Sequence, residues 1–330
     1  MLDYGYPQGT STESLKSYVY NEPVVVEAAT KALRMPASLK TKTTPSTAVH
    51  KPVTTAQGQR GGRQKNEIFV DILERLNVLF SAGGQVLNST IDGCIQMKSY
   101  LSGNPELRLA LNEDLVIGKG GGSYGSVVLD DCNFHECVRL DDFETLRQAS
   151  FWKAGKLSFI PPDGEFVVLN YRITGEFRAP FRLFPSMEEV SPYRLDVVVV
   201  VRMDVPEANH GSNVIVRVPM PRNTTSVSLD GGGAGQSGEY MAAERKVVWT
   251  IKKFQGGSEV TLVAKATLGT PCIAATRREV GPISMQFEIP MYNVSNLQVR
   301  YLKIAENAKS YHPYRWVRYV TQSSSYVCRV

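Results

Sequence analysis

The chain has 330 residues, of which 42% are hydrophobic and 21% are charged, so it is long and apolar enough for two ordinary domains and is not a disordered protein. Its formal net charge of +5 comes from one stretch, since residues 31–65 carry eight basic side chains and no acidic one. Removing these eight from the 37 basic residues leaves 29 against 32 acidic residues, which argues against a surface built to bind nucleic acid.

Residues 1–22 look like the end of a preceding domain. The segment from Ser11 to Leu15 can cap and open one short helix, which has nothing in this chain to pack against. Residues 23–65 are rich in Thr, Ser, Pro, Gly, Lys and Arg and cannot bury enough apolar surface to fold. We interpret them as a basic flexible linker, either a solvated tether or a segment attracted to acidic headgroups or to a partner subunit.

From Asn66 onward the sequence changes to short apolar or alternating runs separated by Gly, Pro, Asn and Ser. Such runs predict β-strands, and the lack of a βα alternation favours paired antiparallel sheets over a parallel doubly wound sheet. The run EIFVDILERLNVLF at residues 67–80 fits a helix as well, and we predict a strand there. The expected fold class is therefore all-β.

No constellation of catalytic residues is recognisable. Gly120 to Val127 matches the glycine-rich loop of protein kinases, but no strand lysine, H-R-D-like loop or D-F-G-like metal ligand follows it. We interpret it as a turn between strands, like Gly231 to Gly238. The histidines are scattered and the five cysteines include no CxxC pair, which predicts reduced thiols and no metal site. We therefore predict a protein that is not an enzyme and needs no cofactor.

The sequence also lacks the features of a secreted or membrane-spanning protein. Its start has no basic segment followed by an apolar one, and the longest aliphatic run, residues 197–201, is too short to cross a bilayer. We expect a cytosolic protein whose association with membranes is peripheral.

Two segments at opposite ends of the predicted β region, EIFVD and RWVRY, share a pattern. Strand alternation places Phe69 with Asp71 on one face of the first segment, and Trp316 with Arg318 on one face of the second. If the two strands are neighbours, they form an aromatic slot that ends in an ion pair. The alternative is an ordinary Arg to Asp bridge beside two core aromatic residues.

Several blocks of the sequence resemble the medium (mu) chains of heterotetrameric adaptor protein complexes. They are LDYGYPQGTSTESLK, KNEIFVDILERLNVLFSAGGQVL, MKSYLSGNPEL, LQVRYLKI and the closing RWVRYV. Within this family, FRLFPS, QKNE and FHECVRLDDFE are most similar to the chains of adaptor complex 4. The resemblance runs over essentially the whole chain, with gaps at the linker and at turns.

The resemblance implies a longin-like domain, a linker and a mu homology domain made of two antiparallel β-sandwich subdomains, the second inserted in the first. We expect residues 1–22 to be a remnant after a longin-like domain that is absent here, and residues 23–65 to be the linker. Subdomain A, which binds signals, would take residues 66–180 and 295–330, and the inserted subdomain B residues 181–294. A fragment, a short isoform or an alternative start would each account for the missing domain.

In the family, an extended Tyr-x-x-Φ peptide, in which Φ is a bulky apolar residue, adds beside an edge strand of the first subdomain. By the resemblance, Phe69 and Trp316 would sandwich the tyrosine ring. The polar network around its hydroxyl would comprise Asp71, Lys98 and Arg318. The residues that match the Φ pocket are Ile68, Val70, Val299, Leu302 and Val317. A phosphotyrosine would bring about two negative charges towards Asp71, so phosphorylation of the signal is expected to prevent binding.

The chains of complex 4 are also described as binding aromatic-rich acidic signals related to Tyr-x-Phe-Phe-Glu on a second face. Phe134 matches one residue of that face. Asn170 stands where the animal relatives have arginine, so the cation expected to meet the acid of the signal is missing in this chain.

The partners that the resemblance implies are the cytosolic tails of transmembrane cargo, the large and small adaptor subunits, an Arf-family GTPase and the anionic membrane surface. The implied role is vesicle-mediated protein transport from the trans-Golgi network, peripheral on that membrane and on coated vesicles. Two alternatives remain open. One is a structural coat subunit without signal binding, and the other is an anionic-lipid-binding module that acts through the linker and a patch of Lys246, Lys252 and Lys253.

Overall fold

The structure is a computed structural model. It describes residues 66–112, 115–118, 127–139, 156–231, 233, 235–305 and 313–330, together with the backbone of residues 2–3, 6–7 and 152–153. The chain divides into two compact units, residues 1–52 and residues 53–330. The helix predicted from Ser11, the basic linker and the glycine-rich loop from Gly120 lie outside the described residues.

The regular elements among the described residues are almost all strands. In the first unit, the backbone of β1 (Leu2–Asp3) pairs antiparallel with that of β2 (Tyr6–Pro7). The first strands of the second unit are β3 (Glu67–Phe80), β4 (Val86–Tyr100), β5 (Glu106–Ala110), β6 (Val116–Ile117), β7 (Val128–Leu129), β8 (Asp131–Phe134), β9 (Val138–Arg139), β10 (Trp152–Lys153), β11 (Lys156–Phe159) and β12 (Gly164–Ile173). They are followed by β13 (Phe181–Ser191), β14 (Arg194–Met203), β15 (His210–Pro219), β16 (Thr224–Asp230), β17 (Gln236–Met241), β18 (Lys246–Gln255), β19 (Glu259–Leu268), β20 (Ile283–Pro290), β21 (Tyr301–Ala305) and β22 (Tyr314–Cys328).

One short helix, α1 (Ala274–Arg278), lies between β19 and β20. No helix in the described part of the chain is long and apolar enough to cross a membrane.

The strands form where apolar and polar residues alternate. In β14, Leu195, Val197, Val199, Val201 and Met203 are fully buried, while the residues between them are partly exposed. β-Branched side chains suit such a pleated, half-buried surface. The same alternation runs through β3, so residues 67–80 form the predicted strand and not a helix. The predicted all-β fold class is confirmed.

The largest sheet has nine strands in the order β17-β18-β15-β20-β22-β3-β4-β12-β8. Two four-stranded sheets have the orders β13-β14-β19-β16 and β21-β5-β11-β9. The pairs are antiparallel, as predicted, except for β22 with β3 and β6 with β7. β22 and β3 come from opposite ends of the second unit, so no tight hairpin dictates their relative direction.

Two separate hydrophobic cores lie along these sheets. The first core includes Ile68, Val70, Ile72, Ile95, Met97, Leu107, Leu109, Phe159, Val168 and Leu302. The second core includes Leu76, Val78, Phe80, Ile91, Phe181, Val199, Val216, Trp249, Phe287 and Tyr326. Successive inward-facing residues of the single strand β3 therefore enter the first core as far as Ile72 and the second core from Leu76. The division into subdomains A and B, with its boundaries, stays a prediction.

Glu74 is the inward-facing residue between these two sets, and it is 0% exposed. Its carboxylate accepts hydrogen bonds from the Tyr171 hydroxyl (3.0 Å), the Val294 amide (2.7 Å), the Ser295 amide (3.2 Å) and the Ser295 hydroxyl. Gly93 lies opposite both Glu74 and Tyr171 in the sheet, and a Cβ there would stand 2.1 Å from the Tyr171 ring. Glycine is therefore needed so that the tyrosine can reach the carboxylate.

Burial raises the pKa of Glu74 above its ordinary value of 4.5, and the hydrogen bonds from Ser295, Val294 and Tyr171 only partly oppose this rise. The folded protein then holds the Glu74 proton more tightly than the unfolded chain. Stability from this group is greatest below pH 4.5 and falls as the pH rises through the folded pKa. We expect the unfolding free energy of the wild type minus that of Glu74→Gln to decrease from about pH 4 to about pH 8 in urea titrations. A difference that stays constant with pH would contradict this prediction.

Candidate functional site

The parallel pairing of β22 with β3 brings the two predicted segments side by side. Trp316 lies opposite Phe69 and Arg318 lies opposite Asp71. The Phe69 and Trp316 rings are nearly parallel, with 12° between their planes and 6.4 Å between their centroids. Trp316 is 53% exposed, so this pair is a surface feature and not a pair of core aromatics.

The spacing of the two rings is close to what a third ring would need. Aromatic carbons make their best contacts at about 3.5 Å, so a ring inserted between two others requires roughly 7 Å between them. The 6.4 Å distance joins the centroids of the Phe69 and Trp316 rings, so the gap between the ring planes is no wider than this and the rings would have to separate to take up a third one. Because Trp316 is more than half exposed, its side chain is less confined by packing than that of a core aromatic residue.

A bidentate ion pair lies two residues further along the same two strands. Arg318 donates from Nε to Asp71 Oδ1 (3.1 Å) and from an Nη to Asp71 Oδ2 (2.8 Å). The side chain of Asp71 is only 10% exposed, whereas that of Arg318 is 59% exposed. The hydrogen bonds to Asp71 raise the pKa of Arg318. The buried carboxylate is thus held in place by a cation that remains accessible to a ligand.

Lys98, the third predicted member of the polar network, has a different partner in this structure. It lies opposite Phe69 on β4, and its Nζ is 2.9 Å from Glu165 Oε2. Gln96 also donates to Glu165. Glu165 therefore holds Lys98 next to Phe69, whereas the residue of β4 opposite Asp71 is Gln96.

The first half of β22 forms an open edge. The Tyr314 amide donates to the Asn66 carbonyl (2.9 Å), so alternate residues starting at Tyr314 turn their backbone groups towards β3. Those of Arg315, Val317 and Tyr319 point away, and the Tyr319 carbonyl already accepts from the Met291 amide (2.7 Å). Within the described part of the chain, no strand pairs with this side of β22 before Val320.

The five residues predicted for the Φ pocket lie in or against the first core. Ile68 and Val70 are 0% exposed and Leu302 is 5% exposed, so these three side chains offer almost no surface to a ligand. Val299 and Val317 are partly buried. These two valines are the members of the set that present surface to a ligand.

The two residues assigned to the second face are not brought together. Phe134 lies opposite Leu169, and Asn170 lies opposite Asn133, in the pairing of β8 with β12. Phe134 packs partly buried against the first core, whereas Asn170 is exposed. Neighbouring residues of a strand point to opposite faces of the sheet, so the two side chains leave the sheet on different sides.

Sequence reasoning missed three residues of this region. Glu165 became visible only through the pairing of β12 with β4. Arg315 donates to the Leu302 carbonyl (3.1 Å), and the Tyr319 hydroxyl accepts from the Val299 amide (3.1 Å). Alternation in RWVRY could have indicated the latter two, because Arg315 and Tyr319 share the strand face of Val317.

The arrangement suits recognition of a side chain better than chemical transformation. It combines two stacked aromatic rings at the surface, a carboxylate that can accept a hydrogen bond, and a strand edge that is unpaired among the described residues. No cluster of His, Cys, Asp and Glu that could hold a metal ion occurs among the described residues.

The contribution of the ion pair can be measured with a double-mutant cycle of Asp71→Ala and Arg318→Ala. Because Asp71 is buried, we expect a coupling free energy of roughly 1 to 2 kcal/mol, lowered from the value for a fully buried pair by the exposure of Arg318. The matched control is the pair of Arg172 and Asp92, whose side chains are 55% and 39% exposed. Its coupling free energy should be smaller than that of Asp71 with Arg318. Equal coupling in the two cycles, measured by urea unfolding, would contradict the prediction.

Comparisons with known proteins identify the family of this chain. Residues 57–330 match the model of the adaptor complexes medium subunit family. The chain is 49% identical over 343 aligned residues to the AP-4 complex subunit mu of Arabidopsis thaliana, and the alignment covers 100% of this chain and 74% of that protein.

Solved structures give the same fold. The yeast delta-COP-I mu-homology domain matches with a TM-score of 0.59 and 16% identity, covering 82% of this chain and 100% of that domain. The same yeast domain in complex with a Dsl1 WxWxV peptide matches with a TM-score of 0.57 and 16% identity, covering 81% of this chain and all of that domain. The family expected from the sequence is confirmed: this chain belongs to the adaptor complexes medium subunit family, and its fold is that of a mu homology domain.

Proposed function

We propose that this chain, as the medium subunit of an adaptor complex in vesicle trafficking, binds Tyr-x-x-Φ sorting signals in the cytosolic tails of membrane cargo. The observation that carries the proposal is the buried Asp71 carboxylate, which Arg318 holds two residues along the same two strands from the Phe69 and Trp316 rings. The family consists of non-catalytic trafficking components, so the proposed role is binding of a ligand and not its chemical conversion.

The tyrosine of the signal would enter between the two rings and donate its hydroxyl proton to Asp71. A neutral phenol fits this environment because it is flat, apolar on both faces and able to donate one hydrogen bond at its tip. Phenylalanine would fill the slot but leave the buried carboxylate without that bond. The exposed Arg318 guanidinium can adjust around the incoming hydroxyl, since 59% of its side chain is accessible.

The backbone of the signal would pair with the open edge of β22. The outward-pointing N–H and C=O groups of Arg315 and Val317 supply main-chain hydrogen bonds to an added strand, which give affinity without sequence preference. Specificity then comes from the side chains at the tyrosine and Φ positions. The Φ side chain would rest between Val299 and Val317, which are the partly exposed members of the predicted pocket.

The remaining partners follow from the family. A medium subunit assembles with the other adaptor subunits, and the relative with 49% identity is an AP-4 subunit. We therefore propose the large and small subunits of an AP-4-like heterotetramer as partners, with recruitment by an Arf-family GTPase and contact with anionic lipid at the trans-Golgi network. A yeast mu-homology domain of the same fold has been solved in complex with a WxWxV peptide, which supports a role in peptide capture for this fold.

The first test titrates the protein with a labelled Tyr-x-x-Φ peptide and with its Tyr→Ala control. Short linear signals usually bind with a Kd in the micromolar range, which corresponds to a binding free energy of about 7 kcal/mol in magnitude. We expect Asp71→Ala and Trp316→Ala each to weaken binding by at least about tenfold, because the first removes the acceptor for the tyrosine hydroxyl and the second removes one wall of the slot. Tyr193→Ala is the matched control, since Tyr193 is an exposed aromatic residue (52%) in the turn between β13 and β14. Tyrosine-independent binding, or wild-type affinity in both slot variants, would refute the proposal.

A phosphorylated signal tests the charge of the slot separately. Phosphotyrosine carries close to two negative charges, which the buried Asp71 carboxylate repels, and its bulk exceeds the ring slot. We expect the phosphopeptide to bind at least about tenfold more weakly than its parent in the same titration. Equal affinities would show that the tyrosine hydroxyl does not approach Asp71.

A further inference from the structure

Residues 293–300 form most of the connection between β20 and β21 and have no regular secondary structure. They include Val299, which is partly buried against the first core and is assigned to one wall of the proposed Φ pocket. An irregular segment has no ladder of hydrogen bonds to fix its position, so its backbone groups need other partners. Three side chains outside the segment supply such hydrogen-bond partners: Glu74, Asn112 and Tyr319.

The beginning of the segment is fixed by Glu74 of β3. The buried carboxylate accepts from the Val294 amide (2.7 Å) and from the amide of Ser295 (3.2 Å). The Ser295 hydroxyl donates to the same carboxylate and accepts from the Leu297 amide (3.0 Å). The first residues of the segment are therefore attached to the junction of the two cores.

The middle of the segment is fixed by Asn112. Its side-chain oxygen accepts from the Gln298 amide (2.6 Å), and its side-chain nitrogen donates to the Asn296 carbonyl (3.2 Å). Arg300, just beyond the wall, donates its amide to the Ala110 carbonyl (2.8 Å). Both partners belong to β5 or to the residues directly after it.

Tyr319 supplies the bond at the wall itself. Its hydroxyl accepts from the Val299 amide at 3.1 Å, and its ring packs partly buried against the first core. Tyr319 stands two residues after Val317 on the same face of β22. The Tyr319 side chain therefore links the backbone of Val299 to β22, the strand that carries Val317.

We propose that Tyr319 is a positioning residue that sets the width of the Φ pocket, and thereby its selectivity among apolar side chains, by holding the backbone of Val299. Glu74 and Asn112 anchor the rest of the same segment. The inference rests on the proposed function, because it assigns the space between Val299 and Val317 to the Φ residue of the signal. Tyr319 itself lies beside the pocket and acts through Val299.

The experiment compares the wild type with Tyr319→Phe, which keeps the ring and removes only the hydroxyl. Both proteins are titrated with a Tyr-x-x-Φ series carrying Leu, Phe, Val or Ala at the Φ position. We expect the ratio of Leu to Ala affinity to fall by roughly threefold to tenfold in the variant, the range expected for loss of one hydrogen bond. The loss of affinity on changing the peptide tyrosine to alanine should stay the same, because the ring slot does not involve Tyr319.

Two further measurements separate positioning from a general loss of structure. Hydrogen exchange of the Val299 amide in the free protein should be faster in Tyr319→Phe than in the wild type. Asn112→Ala, which removes the bonds to Gln298 and Asn296, should lower the Leu to Ala ratio in the same direction. Tyr193→Phe is the control for deleting a tyrosine hydroxyl, because Tyr193 is exposed and lies in the β13–β14 turn.

An unchanged Φ series in a folded Tyr319→Phe protein would overturn the inference while leaving the proposed function intact. A loss that falls equally on all Φ side chains would also overturn it, since that result indicates general weakening and not a change of pocket width. A wild-type protein that fails to bind any tyrosine-containing peptide would instead overturn the proposed function, and the inference with it.

Discussion

The candidate site depends on the parallel pairing of β3 with β22. These strands lie near the two ends of the second unit, and their register puts Trp316 beside Phe69 and Arg318 beside Asp71. A shift of one residue would turn every side chain of one strand to the opposite face and separate both pairs. The pairing extends along both strands and both cores, so the geometry of the site is fixed by a large part of the unit and not by local loops.

The second constraint is the buried carboxylate of Glu74. It is surrounded by donors from β12 and from the irregular segment after β20. A buried carboxylate is stable in the fold only when such donors compensate for lost water. Because β3 supplies the first core on one side of Glu74 and the second core on the other, this residue lies where the site and the rest of the unit meet. The wall of the proposed Φ pocket starts from the same point.

The site combines a buried anion with an exposed cation, and this asymmetry matters for the proposed recognition of a tyrosine. Asp71 is held rigidly because it is shielded and receives two hydrogen bonds, whereas Arg318 keeps most of its surface in water. A ligand hydroxyl can therefore approach a preorganised acceptor without first breaking a fully buried ion pair, which would be costly. The open edge of β22 lies on the same strand as Arg318, so one element would couple the proposed side-chain and main-chain contacts.

The sequence by itself determined the strands and the faces of their side chains, since alternation in β3 and β22 places Phe69 with Asp71 and Trp316 with Arg318 whatever the partners are. Only the tertiary structure decided that these strands are neighbours and parallel, because pairing between distant segments depends on contacts that no local pattern encodes. It also decided that Lys98 meets Glu165, and that Phe134 and Asn170 leave their sheet on opposite sides. The hydrogen bond of Tyr319 was also visible only in the tertiary structure. Its partner, the Val299 amide, belongs to a segment without periodicity, and the position of that segment depends on hydrogen bonds to residues that are remote in sequence.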